Sequence, residues 1–333
     1  MSNITYFSNN NDLTSDESVQ STCSGIYSQI GHEENWQNSS EAITRTSNSS
    51  KAKGSNHLEN SISQTEDLNQ FYHHLINTES VNLPRYGYMK FQPEINNQMR
   101  KNLVDWMIEL HLNLELAPET LYLAVNLIDR YLEKVKIKKD KVELVCITAM
   151  HIACKYEEVE DPPIQDYVDI TEGCYSREEI INMERIMLII LGFNITVISP
   201  YNFIQIFAKL SGESEEMFYL CQYMLELALL KYKMILYKPS VLASGALYLS
   251  HIILMKTEDW PLKVQQYTCL EDEEVISCAK DMYISIQKAG SSSFQAVVEK
   301  FSLPEFGEVA KIQIDTNLGA LLQNFESNLN VSF

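Results

Sequence analysis

The chain changes character near residue 66. Before that point apolar residues are scattered and follow no period: Ile4, Tyr6, Phe7 and Trp36 stand among Ser, Asn, Thr, Glu and Gln. Such a stretch buries too little surface to offset the entropy of ordering it, so residues 1–65 are predicted to be disordered. From Asp67 to Asn77 the spacing turns helical, with Leu68, Phe71, Tyr72, Leu75 and Ile76 at the apolar positions. That helix is marginal alone and needs a surface to lie on. Pro84 and Gly87 break the pattern, and 66–93 reads as a short N-terminal helix with a linker.

A series of amphipathic helices follows. The first spans roughly 95–112, with Met99, Leu103, Trp106, Met107 and Leu110 at spacings of three and four. Pro118 suits a first helical position and opens the second, which carries Leu121, Ala124, Leu127, Ile128, Tyr131 and Leu132. The third covers about 141–158, with Val142, Val145, Cys146, Ala149, Met150 and Ala153, and Pro162-Pro163 ends it. Ser176 and Glu179 form a capping-box pattern before an apolar run that stops at Gly192, a typical C-cap residue. Ser199-Pro200 begins a second set, with helices predicted over 201–210, 215–233, 239–255, 271–288 and 293–301. No convincing strand alternation appears. The expectation is an all-α fold with two lobes of five helices each, 94–197 and 198–310, followed by a weak tail over 311–333.

Composition narrows the function classes. A length of 333 residues suits two domains and a tail. The net charge of −19 argues against a nucleic-acid binder, which needs a basic face to displace counterions from phosphates. The seven cysteines are odd in number and show no C-x-x-C spacing, which argues against a disulfide framework or zinc site and fits a reducing compartment. The first thirty residues lack a basic region followed by an apolar run, so no secretory signal is expected. The longest apolar stretch, Val241 to Met255, carries Ser244, Ser250 and His251 and falls short of the roughly 18 residues that suggest a membrane span. It reads as a buried core helix.

A search for chemistry finds little. No Gly-rich phosphate loop, G-x-S-x-G elbow or H-E-x-x-H motif is present. His73 and His74 are adjacent, so on a helix they point about 100° apart, a poor geometry for one metal. No catalytic residue, metal site or cofactor is expected, and the chain reads as a non-enzyme. Lys155 ends the apolar run ITAMHIACK, and Glu184 interrupts the series from Ile180 to Leu191. Each fits a polar stripe, and equally a charged pair at the rim of an apolar surface; pattern alone fits both. Trp106, flanked by Asp105 and Glu109, fits a core stripe or an exposed patch for basic-hydrophobic peptides.

Five blocks, in order, resemble the cyclin family: Met99–Trp106 (MRKNLVDW), Glu119–Asn126 (ETLYLAVN), Ile128–Leu132 (IDRYL), Ala153–Glu158 (ACKYEE) and Met183–Arg185 (MER). The resemblance covers about Leu68 to Lys311. Gly87–Lys90 (GYMK), Gln92–Ile95 (QPEI) and Pro239–Ala243 (PSVLA) look more like A-type than B-type mitotic cyclins. The resemblance implies a regulatory subunit that binds and activates a cyclin-dependent protein kinase as a heterodimer, acting in the nucleus and cytoplasm during S phase or G2–M. It implies that Lys155 and Glu184 contact the kinase's mobile helix, with Phe193, Ile195, Ile152 and Leu188 beside them and Phe71 packing on the kinase from the short first helix. It implies that Met99, Leu103, Trp106, Glu109 and Glu143 form a docking patch for Arg-x-Leu motifs of substrates and inhibitors. Asn102 stands where the family has an apolar residue and Glu143 where Gln is common, so the patch is expected to be more polar and acidic than usual. Residues 1–65 hold no destruction-box R-x-x-L; Arg100-x-x-Leu103 and Arg185-x-x-Leu188 fall inside predicted helices. A rival from another class, a DNA-binding transcription factor of the same two-lobed fold, calls for a basic face and often a zinc ribbon, and the sequence offers neither. No nucleic-acid or membrane partner is expected.

Overall fold

The computed structural model describes residues 68–255 and 272–314, and among them all regular structure is helical. The disorder predicted for 1–65 and most of the 311–333 tail lie outside these residues. The N-terminal helix α1 is described over 68–78. Its apolar face finds the surface it needs: Tyr72 and Leu75 are buried, and Tyr72 meets the Phe203 ring edge-on at 5.9 Å.

The first set comprises α2 (Asn97–Asn113), α3 (Pro118–Lys134), α4 (Val142–Glu157), α5 (Ile164–Ile170) and α6 (Arg177–Leu191). Asn96 caps α2 by accepting the Met99 N–H at 3.0 Å, and Pro118 opens α3 as expected. From Val142 to Cys154, α4 is buried at every position but Glu143. It is the central helix, packed on by α3 and α6, and its Ala and Cys residues let the neighbours come close. The short α5 completes the five helices expected of this lobe, at a position the sequence pattern did not mark. It restarts after Pro162-Pro163 and holds by one fully buried anchor, Tyr167, too little to make a period. A capping box formed by Ser176 and Glu179 starts α6, and left-handed Gly192 ends it.

The second set comprises α7 (Pro200–Ser211), α8 (Glu215–Leu229), α9 (Pro239–Met255), α10 (Asp272–Ala289) and α11 (Ala296–Lys300). Here α9, the apolar run of the sequence, is central and contacts α7, α8 and α10. Gly245 permits the α10 approach, because a Cβ there would lie 3.0 Å from the Cys278 Sγ. Helix α8 stops at Leu229, short of the predicted 233, and a 3-10 turn follows over Tyr232–Leu236. The break places the Tyr232 hydroxyl to accept the Gly87 N–H at 2.7 Å and the Met89 N–H at 3.2 Å.

Those bonds belong to a strap over residues 79–92 that ties both helix sets. Glu79 accepts from the backbone and hydroxyl of Ser240 at the start of α9, at 2.9 and 3.0 Å. Asn82 donates to the Thr196 carbonyl and accepts from Asn126 and Arg130 on α3. Beneath the strap, buried Arg100 on α2 makes a two-point ion pair with Asp129 on α3, both contacts at 2.7 Å, and donates to the Leu229 carbonyl that ends α8. Cys146, Cys154, Cys221 and Cys278 are buried, where a free thiol packs as a small hydrophobe, while Cys174 is exposed.

Candidate functional site

Lys155 and Glu184 come together. Lys155 sits in the last turn of α4 and Glu184 midway along α6, two helices that pack on each other. The Lys155 Nζ donates to Glu184 Oε1 at 2.6 Å. The pair has a wet end and a dry end: the Lys155 side chain is 47% exposed, that of Glu184 only 14%. A charged group held at the boundary of an apolar surface keeps its capacity for short, charge-assisted bonds to an incoming partner.

The helix that bears Glu184 carries exposed apolar residues. On α6 and its exit, Ile181, Ile186, Ile189 and Phe193 are exposed, Ile189 at 60% and Phe193 at 66%. Leu188 and Ile195 are half-buried and pack on the core. Tyr156 at the end of α4 is also exposed, with its hydroxyl 2.7 Å from that of Thr196. The chain leaves α6 through two successive left-handed residues, Gly192 at φ 66° and Phe193 at φ 57°. A bulky side chain adopts that conformation at a cost of order 1 kcal/mol. The bond from the Phe193 N–H to the Leu188 carbonyl at 2.9 Å holds it there, with the ring in solvent.

One expected contact residue is not at the surface of the free chain. Ile152, placed among the contact residues, is 3% exposed. It points into the core of the first lobe and supports the surface from behind. Phe71 is exposed on α1. Ile181, Ile186 and Ile189 were not singled out in the sequence. The available signal was the run from Ile180 to Leu191, which carries more apolar residues than one buried stripe can use.

The second group lies on α2. Met99, Leu103 and Trp106 are half-buried against the core and keep part of their surface in solvent, with Glu109 half-buried nearby. Asn102 is exposed on this helix and accepts from Gln98 at 3.3 Å, and Glu143 is exposed at the start of α4. Burial raises the Glu109 carboxyl above its ordinary pKa, helped by Asp105 and Glu299. Burial likewise pushes Asp105 up to about 6, opposed by the N–H groups of Gln295 and Ala296 at the start of α11. Of the two R-x-x-L matches, Arg100 is fully engaged in its buried ion pair and Arg185 lies within α6. Among the described residues no group of His, Cys, Asp or Glu is placed to hold a metal ion, and no helix is long and apolar enough to cross a membrane.

Comparison with known proteins identifies the two helix sets. The family description "Cyclin, N-terminal domain" matches residues 70–196, and "Cyclin, C-terminal domain" matches 198–315. "Cyclin-B2-1" of Oryza sativa subsp. japonica is 36% identical over 254 residues, covering 76% of this chain and 60% of that protein. "G2/mitotic-specific cyclin-B" of Dictyostelium discoideum is 34% identical over 250 residues, covering 75% of this chain and 57% of that protein. The chain thus spans about 60% of the length of these relatives. A viral cyclin from herpesvirus saimiri shares the fold with a TM-score of 0.58 at 18% identity, over 65% of this chain and 96% of that one. A chain of the yeast RNA Pol II CTD kinase CTDK-1 complex shares it with a TM-score of 0.55 at 15% identity, over 73% of this chain and 80% of that one. The curated relatives are B-type, whereas the GYMK, QPEI and PSVLA segments had suggested A-type. Two contiguous cyclin domains, a two-lobed helical fold and relatives above 30% identity agree: this chain belongs to the cyclin family.

Proposed function

We propose that this chain is a B-type mitotic cyclin, the regulatory subunit that binds and activates a cyclin-dependent protein kinase at G2–M and performs no chemistry itself. The observation that carries the reading is the Lys155–Glu184 pair, joined at 2.6 Å across α4 and α6, with Ile189 and Phe193 exposed farther along α6 and its exit. A protein kinase transfers phosphate only when its β3 Lys–αC Glu pair and its activation loop are in place. A rigid apolar surface with one oriented charge pair binds the active position of the kinase helix better than the inactive one, and that differential affinity shifts the population. Met99, Leu103, Trp106, Glu109 and Glu143 form the substrate-docking patch in this reading, supported by the partial exposure of the first four on α2 and the exposure of Glu143 at the start of α4.

The test is co-expression with a mitotic cyclin-dependent kinase, followed by pull-down and a histone-kinase assay. Lys155→Ala and Glu184→Ala should each weaken the complex by roughly 2–5 kcal/mol, because each leaves a charge unpaired under the partner. Wild-type yield and activity from both variants would refute the assignment. In the same assay Trp106→Ala should lower phosphorylation of an Arg-x-Leu substrate several-fold more than that of a short peptide.

A further inference from the structure

Beneath the Lys155–Glu184 pair lies a histidine that the pattern of the chain does not explain. His151 sits one turn before Lys155 on α4, so both side chains face α6. Its Nε2 is 3.7 Å from Glu184 Oε2, the carboxylate oxygen that Lys155 does not engage. The ring stands edge-on to Tyr167 of α5, with centroids 4.9 Å apart at 65°. The residue is 6% exposed, and its Nδ1 is buried without a hydrogen-bond partner. A buried, unpartnered ring nitrogen costs about 1–3 kcal/mol, so a purely packing position would favour an aliphatic side chain. Among the described residues, the carboxylate its ring nitrogen comes within 4 Å of is that of Glu184.

Resting on the reading of Lys155 and Glu184 as the kinase-binding pair, we infer that His151 is a positioning residue: its ring backs the Glu184 oxygen that Lys155 does not engage, and so sets the direction in which the pair meets the kinase.

This arrangement has a pH consequence. The groups facing the ring are Lys155 on α4, Asp161 in the following loop, Tyr167 on α5 and Glu184 on α6. Burial holds the imidazole below its ordinary pKa; Glu184 opposes that, Lys155 adds to it and Asp161 opposes it. A bound kinase deepens the burial and gives Glu184 further donors, so the ring is harder to protonate in the complex than in the free chain. Protons and kinase therefore compete. Affinity is flat where the free ring is neutral and falls as acid begins to protonate it.

Binding of the full chain to a purified mitotic cyclin-dependent kinase, measured from about pH 7.5 to about pH 5.5, tests this. His151→Leu should bind about three- to tenfold more weakly at the upper end and lose the wild-type fall in affinity with acid. His151→Gln keeps a side-chain N–H and should recover most of the affinity without the fall. The inference is overturned if His151→Leu matches the wild type in both affinity and pH profile. It is also overturned if His151→Gln, folded with an unchanged Tm, is as weak as the leucine variant, since shape alone would then explain the effect. Should His151→Leu fail to fold by circular dichroism, the glutamine variant decides: retention of the acid fall in affinity overturns the inference. Glu184→Ala run in parallel separates the two levels. Unimpaired binding by that variant defeats the surface reading itself, whereas its loss beside an unaffected His151→Leu defeats only the role given to His151.

Discussion

A single histidine links the packing of this molecule to its acid stability. His111 is buried on α2, and its Nε2 lies 2.9 Å from the Ala117 carbonyl, which can only accept, so that nitrogen carries the proton. Burial, with the Lys300 charge adding to it, lowers the imidazole pKa to about 3, against a smaller opposing effect of the Ala117 bond. The unfolded chain takes up a proton near the ordinary value of about 6.5, and the folded chain refuses it. The folded pKa is depressed, so the contribution is present above about pH 6.5 and is lost as pH falls. Between pH 8 and pH 5 the loss from this one group is about 2 kcal/mol. Asp105 works in the opposite sense, because its folded pKa of about 6 is raised and acid protonates the folded form first. The clean measurement is a comparison of slopes: urea unfolding of wild type and His111→Gln at both pH values. The wild type should lose about 2 kcal/mol more than the variant, and equal losses would show that His111 is not the titrating group. None of this was legible in the sequence, where His111 is one of seven histidines and nothing marks it as neutral and enclosed.

At the scale of elements, helix ends were the most legible part of the chain, because capping is local chemistry. Pro118, Ser176, Gly192, Ser199-Pro200 and Pro239 each stand at the boundary their residue type implies. Legibility failed where tertiary contact decides. Helix α8 ends early because Tyr232 turns to the strap, and α5 exists because Tyr167 has a pocket to fill. The site divides the same way. Lys155 and Glu184 were readable as charges in apolar runs, but their meeting across α4 and α6, the left-handed Phe193 and the exposure of Ile189 depend on how the helices pack. The cap that starts α6 is therefore testable as a support of the site. Ser176 accepts the Glu179 N–H at 3.3 Å, and the Glu179 carboxylate accepts the Ser176 N–H at 3.0 Å. Ser176→Ala should cost about 1 kcal/mol of stability and lower Tm by a few degrees. Kinase binding should fall far less than in Glu184→Ala, because the cap lies at the far end of α6 from Phe193. A loss of binding comparable to that of Glu184→Ala would mean that α6 depends on its cap for its position as well as its stability.

Two buried ion pairs tie elements of the molecule together within its apolar core. Arg100 belongs to the MRKNLVDW block, but its work is structural. It joins α2 to Asp129 on α3 through two contacts of 2.7 Å and to the last carbonyl of α8, while Tyr88 of the strap donates to the same Asp129 oxygen at 2.7 Å. Lys300 and Glu226, paired at 2.6 Å and equally buried, join α11 to α8. Such pairs add little over well-packed apolar residues, since desolvation offsets most of the attraction, yet breaking one from a single side strands a buried charge. Arg100→Ala leaves Asp129 with only the Tyr88 hydroxyl and orphans the Leu229 carbonyl. The expected loss is about 3–5 kcal/mol, a large part of the 5–15 kcal/mol typical of a whole domain. Replacing both partners, Arg100→Met with Asp129→Leu, removes the stranded charge and should restore a substantial part of that loss despite being the larger change in sequence. Denaturant unfolding of the two variants decides it. If the double variant is as unstable as Arg100→Ala, the pair contributes through its bonds to Leu229 and Tyr88, and the charge on Asp129 is not the cause.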